Sequence, residues 1–307
     1  MTMEQSKQKF LITVIGPTAI GKTALSIVLA NHFNCEIISC DSRQFFKEMT
    51  IGTAVPSEEE LAAAQHHFIH NKSIFENYTV GDFEKEALAK LEALFENNDY
   101  AVMVGGSGLY VDAVLKGFDE FPEIETSVRD FITLNYEKQG ISYLQNELEQ
   151  LDPVYFSAVA KENPQRLMRA LEVCLGTGKP YSSFLNLKKN VRNFTPIVIG
   201  LEADRKIIYD RINRRVDLMM ESGLLAEAEI LYPNRKLNAL QTVGYRELFS
   251  YFDGDFTLEF AISEIKKNTR RFAKRQLTWF KRIENVMWFD FTADPSEIIA
   301  FVKKCKK

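Results

Sequence analysis

The chain has 307 residues, of which 46% are hydrophobic and 26% are charged, a balance typical of a folded globular protein. Its net charge of −4 argues against uniform coating by nucleic acid, so a nucleic-acid partner would have to meet a local basic patch. The 4 cysteines show no Cys-x-x-Cys spacing, no secretory leader is recognisable, and no apolar run reaches the length of a membrane span. We therefore expect a cytoplasmic protein with reduced thiols and no membrane partner.

The first informative stretch is the glycine-rich segment 16–23. Apolar residues 10–15 predict a buried strand before it, and a helical pattern follows it. Strand, Gly-x-x-x-x-Gly-Lys-Thr and helix are the context of a P-loop, in which backbone amides at a helix N-terminus bind phosphate. The Lys22 side chain adds positive charge, and the Thr23 hydroxyl can bind Mg²⁺. The residues of this predicted diphosphate- or nucleotide-binding site are Gly16, Pro17, Thr18, Ala19, Ile20, Gly21, Lys22 and Thr23.

A second predicted strand, residues 35–40, ends at Asp41. Ligands of open parallel sheets bind beyond the carboxyl ends of the strands, so we expect Asp41 beside the phosphate site. Its carboxylate would there accept a proton from a nucleophile or hold Mg²⁺ through water, and the alternative is that it caps the next turn. The predicted strand 100–104 ends in Gly105-Gly106-Ser107 rather than in the Asp that many P-loop ATPases use for Mg²⁺. This disfavours a motor protein or a GTPase but not a small-molecule kinase.

Residues 117–190 differ from the rest of the chain because they show helical patterns and no strand signal. Asp152-Pro153 and Asn163-Pro164 each resemble a helix cap followed by proline at the first helical position. The sequence therefore predicts an α/β fold with a P-loop NTPase-like core, a mostly parallel sheet flanked by helices, formed by residues 1–116 and 191–307. Residues 117–190 are predicted to be an all-helical insertion domain.

A basic stripe follows the predicted helix 262–282. Its residues recur at i, i+1, i+4, i+5, i+8 and i+9, which is one face of a helix. Cations this close repel one another, and an acidic chain tolerates them more readily if a polyanion meets them. The alternative is a solvated face. The residues of the stripe are Lys266, Lys267, Arg270, Arg271, Lys274 and Arg275.

These features fit two classes of enzyme. One is a kinase-like enzyme that uses ATP on a small molecule. The other is a transferase in which pyrophosphate is the leaving group and a nucleic acid is the acceptor. A nucleotide-gated binding module without chemistry is a weaker third reading, because Asp41 and the glycine-rich segments are expected to converge on one place.

The order of the motifs favours the transferase. Seven motifs stand along the chain as Gly-Pro-Thr-Ala-Ile-Gly-Lys-Thr (16–23), Asp-Ser-Arg-Gln (41–44), Ile-Gly-Thr-Ala-Val-Pro (51–56), Val-Gly-Gly-Ser-Gly-Leu-Tyr (104–110), Asn-Pro-Gln-Arg-Leu-Met-Arg-Ala-Leu-Glu (163–172), Val-Gly-Tyr-Arg (243–246) and Ala-Lys-Arg-Gln-Leu-Thr-Trp-Phe (273–280). In this order they resemble the tRNA dimethylallyltransferases, the isopentenyl transferases that modify adenosine 37 beside the anticodon. The resemblance covers about residues 10–290.

The resemblance implies that dimethylallyl diphosphate occupies the P-loop and that its prenyl group passes to N6 of adenosine 37, giving N6-isopentenyladenosine and diphosphate. The implied catalytic residues are Asp41, Thr23, Lys22 and Arg215. Asp41 would be the general base or orient N6, and Arg215, with Arg211 as the alternative, would neutralise the diphosphate. Mg²⁺ is the implied cofactor at Thr23, with Asp41 as an additional ligand through water. Whether ATP also binds the P-loop stays open.

The resemblance also implies a tRNA-binding surface. Ser107, which replaces the threonine common in the family, keeps the hydroxyl that would contact a flipped-out adenosine. The helical insertion would hold the anticodon stem-loop, and we expect a monomer. The implied tRNA-binding residues, with two from the basic stripe, are Asp41, Ser42, Arg43, Gln44, Ser107, Gln165, Arg166, Leu167, Met168, Arg169, Val243, Gly244, Tyr245, Arg246, Lys274 and Arg275.

Overall fold

The computed structural model describes residues 8–185 and 191–306. Its contacts divide the chain into two compact units, Met1–Lys116 with Arg192–Lys307 and Gly117–Val191, which we call the core unit and the insertion unit. The predicted insertion, 117–190, ends one residue before this boundary. Its residues 186–190 lie outside the described residues, as do residues 1–7 and 307 of the predicted core. No described helix combines the length and apolarity that a membrane crossing requires.

The strands of the core unit form one parallel sheet in the order β3-β2-β4-β1-β5-β6. The predicted α/β class with a mostly parallel sheet is confirmed. The two-residue strand β3 was not predicted, because a pair of histidines carries no strand pattern of its own. The strands in the described residues are β1 (Phe10–Ile15), β2 (Ile37–Ser39), β3 (His66–His67), β4 (Tyr100–Val104), β5 (Thr195–Glu202) and β6 (Val286–Asp290).

Helices cover both faces of this sheet, and four further helices, α5 to α8, lie in the insertion unit. In chain order the described helices are α1 (Lys22–Phe33), α2 (Glu58–Ala63), α3 (Val80–Asn97), α4 (Gly108–Lys116), α5 (Thr126–Gln139), α6 (Ile141–Leu151), α7 (Pro153–Ala158), α8 (Pro164–Thr177), α9 (Arg205–Glu221), α10 (Leu224–Leu231), α11 (Tyr245–Phe252), α12 (Leu258–Phe280) and α13 (Pro295–Lys304).

Strand β1 is fully buried at the centre of the sheet. Successive side chains of a strand point to opposite faces. Phe10, Ile12 and Val14 therefore pack with α1, α9 and α13, whereas Leu11 and Ile15 pack with α3 and α4. Because neighbouring strands are parallel, the carboxyl ends of β1, β2, β4 and β5 meet at one edge, where a ligand site is expected.

Local side-chain chemistry starts several helices. Ser57 and Thr79 each form a capping box at the start of α2 and α3. In the insertion unit, Asp152 accepts a hydrogen bond from the backbone N–H of Tyr155, and Asn163 caps α8 in the same way. Proline follows both caps at the first helical position, where its missing N–H costs nothing.

Candidate active site

The glycine-rich loop 16–23 joins β1 to α1 at the carboxyl edge of the sheet. Gly16 has a φ of 149°, and a Cβ there would lie 2.7 Å from the carbonyl oxygen of Leu201, so only glycine fits. Gly21 has a φ of 112° and precedes α1, whose N-terminus is capped by no side chain among the described residues. The first N–H groups of α1 are therefore available to an anion.

Two arginines of α9 bind this loop. Arg215 donates a 3.1 Å hydrogen bond from Nη1 to Thr18 Oγ1, and Arg211 donates one of 2.7 Å from Nε to the carbonyl oxygen of Ala19. Arg211 is exposed and lies over the Phe291 ring, whereas Arg215 is half-buried. The sequence left the choice between the two arginines open, and the structure brings both to the loop.

Lys22 lies inside the loop, where Nζ donates a 2.8 Å hydrogen bond to the carbonyl oxygen of Pro17. Burial, followed by repulsion from Arg215, lowers the pKa of Lys22 from 10.5 to about 8. Ala19 and Ile20 lie between Thr18 and Gly21 in the same loop. An anion beside Lys22 would therefore gain electrostatic stabilisation and would raise this pKa again.

Asp41 lies just beyond β2. Its Oδ1 accepts a 3.0 Å hydrogen bond from the backbone N–H of Arg43, so the expected turn contact is present. Its Oδ2 accepts no hydrogen bond from the described residues and remains available to a ligand. Burial raises the pKa of Asp41 above its ordinary value, and the Arg43 N–H and the Lys22 charge partly oppose that shift. A carboxylate of raised pKa accepts a proton more readily than an ordinary one.

Gln276 connects the glycine-rich loop with the loop after β4. Its Oε1 accepts a 2.9 Å hydrogen bond from the N–H of Thr18, and its Nε2 donates one of 2.8 Å to the carbonyl oxygen of Gly106. The side chain is buried, and a Cβ at Gly106 would lie 2.3 Å from Nε2. Beside it, Ser107 Oγ accepts from the N–H of Ser42 and donates to Ser42 Oγ, both at 3.0 Å. Sequence reasoning gave Gln276 no role.

Two neighbouring cavities open at this edge of the sheet. The first, of about 610 Å³, is lined by residues 18–24, including Lys22 and Thr23, and by Gln44. The second, of about 340 Å³, lies between the segment 41–43, Ser107 and helices α9 and α12. Both cavities share a common wall. The residues of this shared wall are Thr18, Asp41, Thr53, Ala54 and Arg215.

A half-buried carboxylate holds the loop that supplies two residues of the shared wall. Glu227 accepts hydrogen bonds of 3.0, 2.8 and 2.9 Å from the backbone N–H groups of Thr50, Ile51 and Gly52. The Tyr245 ring packs against Gly52, where a Cβ would lie 2.6 Å from the ring. Further along, Gln44 donates from Nε2 to the carbonyl oxygens of Thr53 and Ala54. Glu227 was missed because the backbone groups that it holds lie at least 175 residues away in the sequence.

The residues assigned to tRNA contact fall into three groups. In the core unit, most of them line the second cavity, Gln44 lines the first, and Lys274 is exposed outside both. In the insertion unit, Gln165, Arg166 and Arg169 are exposed on α8, where Arg169 forms an ion pair with Glu172 at 3.2 Å. The residues that line the second cavity are Asp41, Ser42, Arg43, Ser107, Val243, Gly244, Arg246 and Arg275.

The third group is buried and corrects the sequence assignment. Leu167 and Met168 belong to the core of the insertion unit, and Tyr245 is fully buried in the core unit. Their side chains pack inside the protein and therefore present no surface to an RNA. The signal was present in the sequence, since Tyr245 shares one helical face with Leu248 and Phe249 at i+3 and i+4.

The basic stripe on α12 is not uniform. Lys266 forms an ion pair with Asp217, Lys267 forms one with Glu264, and Arg270 donates to Asn213 Oδ1. Three further members are exposed, and one of them lines the second cavity. These exposed residues are Arg271, Lys274 and Arg275. Phe272, on the same helix, is 38% exposed and lines the second cavity.

The implied Mg²⁺ is compatible with the first cavity. Thr23 and Asp41 both line this cavity and offer a hydroxyl and a carboxylate oxygen. Mg²⁺ prefers oxygen ligands and is usually held by one or two protein groups together with water and the phosphates of a substrate. This donor set suits an ion shared with a bound diphosphate.

The sheet, the glycine-rich loop and the paired cavities define a protein of P-loop-like α/β fold with a candidate active site at the carboxyl edge of its sheet. A family model described as IPP transferase matches residues 44–283. A relative from Flavobacterium johnsoniae, named tRNA dimethylallyltransferase, is 73% identical over 300 residues, which cover 96% of this chain and 97% of that protein. The chain therefore belongs to the IPP transferase family, that of the tRNA dimethylallyltransferases.

Solved structures agree with this assignment. The tRNA isopentenylpyrophosphate transferase of Bacillus halodurans is 38% identical, with a TM-score of 0.73 and 97% of both chains covered. A eukaryotic dimethylallyltransferase, described as acting on tRNA, is 26% identical with a TM-score of 0.83, covering 97% of this chain and 79% of that chain. The fold predicted from sequence and the family resemblance are both confirmed.

Proposed function

We propose that this chain transfers the dimethylallyl group of dimethylallyl diphosphate to N6 of adenosine 37 in tRNA. The observation that carries this proposal is the wall shared by the two cavities, which contains Thr18, Asp41 and Arg215. A diphosphate in the first cavity and an adenine in the second would meet at Asp41. Family membership and the names of close relatives support the same reaction.

The first cavity would bind the diphosphate of the donor. The N-terminal amides of α1, Lys22 and Arg215 supply positive potential where the leaving group gains charge. Breaking the allylic C–O bond leaves positive charge on the prenyl group and negative charge on the diphosphate. The residues that would hold Mg²⁺ are Thr23 and Asp41, and the ion would add charge neutralisation at the leaving group. Charge stabilisation by preorganised groups is usually the largest catalytic contribution.

Asp41 would act on the acceptor. N6 of adenine is a poor nucleophile because its lone pair is delocalised into the ring. As the new C–N bond forms, an N6–H proton passes to the Asp41 carboxylate, and the diphosphate leaves with the electrons of the C–O bond. General-base assistance of this kind typically contributes about 10²–10⁴-fold. The raised pKa of Asp41 suits that role.

The second cavity would receive the adenine after it leaves its stack. Unpaired loop bases are the least costly to extract, and an anticodon loop offers such bases. The Ser107 hydroxyl and the exposed cations of α12 line or flank this cavity. The exposed α8 residues Gln165, Arg166 and Arg169 are the proposed contacts of the insertion unit with the anticodon stem-loop. We further propose that the protein acts in the cytoplasm as a monomer.

Label transfer tests the proposal. Unmodified tRNA with adenosine at position 37 is incubated with Mg²⁺ and either prenyl-labelled dimethylallyl diphosphate or labelled ATP. We expect prenyl label on the tRNA, none on free adenosine, and no consumption of ATP. As a matched control, the same tRNA with guanosine at position 37 should stay unlabelled, since guanine has no N6 amino group. ATP consumption without prenyl transfer would replace this proposal with a kinase-like activity.

A further inference from the structure

A histidine to which the proposed reaction gives no role lines the first cavity. His66 lies on β3, which pairs in parallel with β2, and its partner in the register is Ile37. Ile37 packs on the face of the sheet that α1 covers. Paired residues of neighbouring strands point to the same face, so His66 also faces α1, whose first turn contains Thr23. His66 and Thr23 both line the first cavity.

The contacts of the His66 ring fix which nitrogen carries the proton. Nδ1 lies 2.7 Å from the carbonyl oxygen of Ala64, and a carbonyl oxygen can only accept a hydrogen bond, so Nδ1 is the donor. Burial lowers the pKa of His66, and the Ala64 carbonyl and the Glu60 charge oppose that shift. The ring is therefore neutral at pH 7, and its Nε2 is a hydrogen-bond acceptor.

This acceptor has no partner in the protein. Nε2 is shielded from bulk solvent and accepts no hydrogen bond from the described residues. Buried acceptors are normally paired with a protein group or with an ordered water molecule, because an unpaired one is unfavourable. A phosphate oxygen cannot fill this role, since it is itself an acceptor. Only a small donor, such as a water molecule, suits a nitrogen shielded in this way.

The Mg²⁺ implied for this cavity would bring such donors. No group of three or more His, Cys, Asp or Glu side chains that could hold a metal directly occurs in the described part of the chain. Mg²⁺ at Thr23 and Asp41 would therefore keep several water molecules, and water on a cation is a strong hydrogen-bond donor. Glu60, the other carboxylate of the cavity, uses Oε2 to accept the N–H of Ser57 at the start of α2.

We propose that His66 is an outer-sphere ligand of this Mg²⁺, with Nε2 accepting a hydrogen bond from a water molecule bound to the ion. The inference rests on the proposed function, because that function places a diphosphate and its ion at Thr23. The hydrogen bond from Nδ1 to Ala64 fixes the orientation of the ring, as the contacts around metal ligands commonly do. His66 is thus a positioning residue, which acts on the diphosphate through the ion.

Binding of inorganic diphosphate with and without Mg²⁺ tests the inference. Its dissociation constant is measured by calorimetry in excess Mg²⁺ and in EDTA, for the unchanged protein and for His66→Ala. Loss of an outer-shell partner typically weakens metal binding about 10- to 100-fold. We therefore expect His66→Ala to bind diphosphate more weakly by this factor in Mg²⁺ and equally well in EDTA. Magnesium diphosphate forms in solution to the same extent in every sample, so a difference between variants reports the protein.

Two further variants separate the acceptor from the ring. In His66→Gln the side-chain oxygen can replace Nε2 as acceptor, so this variant should recover most of the affinity in Mg²⁺. The matched control is His67→Ala, the next residue of β3, which contacts Glu36 and lines neither cavity. This control should bind diphosphate as the unchanged protein does in both conditions.

Three results would overturn the inference. Unchanged diphosphate affinity of His66→Ala in Mg²⁺ would show that the ion does not depend on this side chain. An equal loss in Mg²⁺ and in EDTA would show that His66 acts on the diphosphate or on the fold and not on the ion. An equal loss in His66→Ala and His66→Gln would assign the effect to packing of the ring.

The proposed function is judged separately. Label transfer from dimethylallyl diphosphate to tRNA by the unchanged protein tests the reaction, whereas binding of inorganic diphosphate requires no tRNA. Transfer by the unchanged protein, together with normal diphosphate binding by His66→Ala in Mg²⁺, would reject the outer-sphere role and leave the reaction standing. Absence of transfer would reject the reaction, whatever the diphosphate measurements show.

Discussion

The hydroxyl of Tyr245 donates a 2.6 Å hydrogen bond to Glu227, the carboxylate that also accepts three backbone N–H groups of the 50–52 segment. Tyr245→Phe removes this one bond and leaves the ring against Gly52. A hydrogen bond to a charged group contributes about 1.5–3 kcal/mol. The free energy of unfolding of Tyr245→Phe should therefore be lower than that of the unchanged protein by an amount in this range. Because the same segment leads into the shared wall, kcat/KM should fall about 10-fold.

Glu227→Gln should be more damaging than Tyr245→Phe, since its amide NH₂ cannot accept the backbone N–H groups that the carboxylate oxygen accepts. The control is Glu229→Gln on the same helix, where the side chain is exposed. Denaturant unfolding and label transfer measure both effects. Unchanged activity in Glu227→Gln would show that the 50–54 segment holds its position without this carboxylate.

Replacing Gln276 should loosen the first cavity. Gln276→Leu keeps the approximate volume but leaves the N–H of Thr18 and the carbonyl oxygen of Gly106 without their partner. We expect KM for dimethylallyl diphosphate to rise about 10-fold or more, because unpaired buried groups cost about 1–3 kcal/mol each. Affinity for tRNA should change little. Thr278→Ala, at an exposed position of the same helix, is the control and should leave KM unchanged.

Asp41→Asn tests the base. The change keeps the shape and the acceptor for the Arg43 N–H but removes proton acceptance, so kcat should fall about 10²–10⁴-fold. Binding of tRNA should be nearly unaffected. Burial of the charged form is unfavourable at this position, so the free energy of unfolding near neutral pH should not decrease. Equal losses in kcat and in tRNA affinity would contradict a base role.

The pH profile gives an independent check on Asp41. Its pKa is raised by burial, so the active carboxylate form is lost as the pH falls through a value above 3.8. For the unchanged protein, kcat/KM should decrease on the acidic side over that range. The residual activity of Asp41→Asn should lack this acidic decrease. An identical acidic limb in both proteins would assign it to another group.

Lys22 should make diphosphate binding depend on pH. In the free protein its pKa is about 8, so above that pH the side chain is mostly neutral. A bound diphosphate favours the charged form, so binding above pH 8 should take up a proton and weaken as the pH rises further. Calorimetry in two buffers of different ionisation enthalpy measures this uptake. Lys22→Arg, whose charge persists, should bind without it.

Salt dependence should distinguish the two halves of the basic stripe on α12. Changing Arg271, Lys274 and Arg275 to alanine should lower the slope of log affinity against log salt by about 2, at about 0.7 for each single-stranded phosphate contact. The matched control changes Lys266, Lys267 and Arg270, which are half-buried and contact Asp217, Glu264 and Asn213. If the slope decreased more in this control than in the Arg271, Lys274 and Arg275 variant, these three exposed residues would be a solvated face and not the phosphate contacts.

Structure that depends on residues close together in the sequence could be predicted, whereas polar contacts between residues far apart in the sequence could not. The strand–loop–helix context of residues 10–33 and the caps at Asp152 and Asn163 depend on neighbours within a few positions, and the structure has them as expected. Gln276 and Thr18 form a hydrogen bond although they are 258 positions apart in the sequence. No local sequence pattern predicts a contact between residues so far apart. The β3 strand exists only because β2 supplies its hydrogen-bond partners.

The position of the insertion unit in the sequence delays completion of the sheet during synthesis. Strand β5 pairs with β1 in the completed sheet but follows it by about 180 residues, with the insertion unit made in between. A chain released from the ribosome before Arg215 and Gln276 emerge has its glycine-rich loop but neither of the side chains that hold that loop at Thr18. Pairings this distant in sequence form late and slowly. For most of its synthesis the nascent protein therefore has the glycine-rich loop but lacks the rest of the phosphate site. Translation must be nearly complete before the protein can bind its donor.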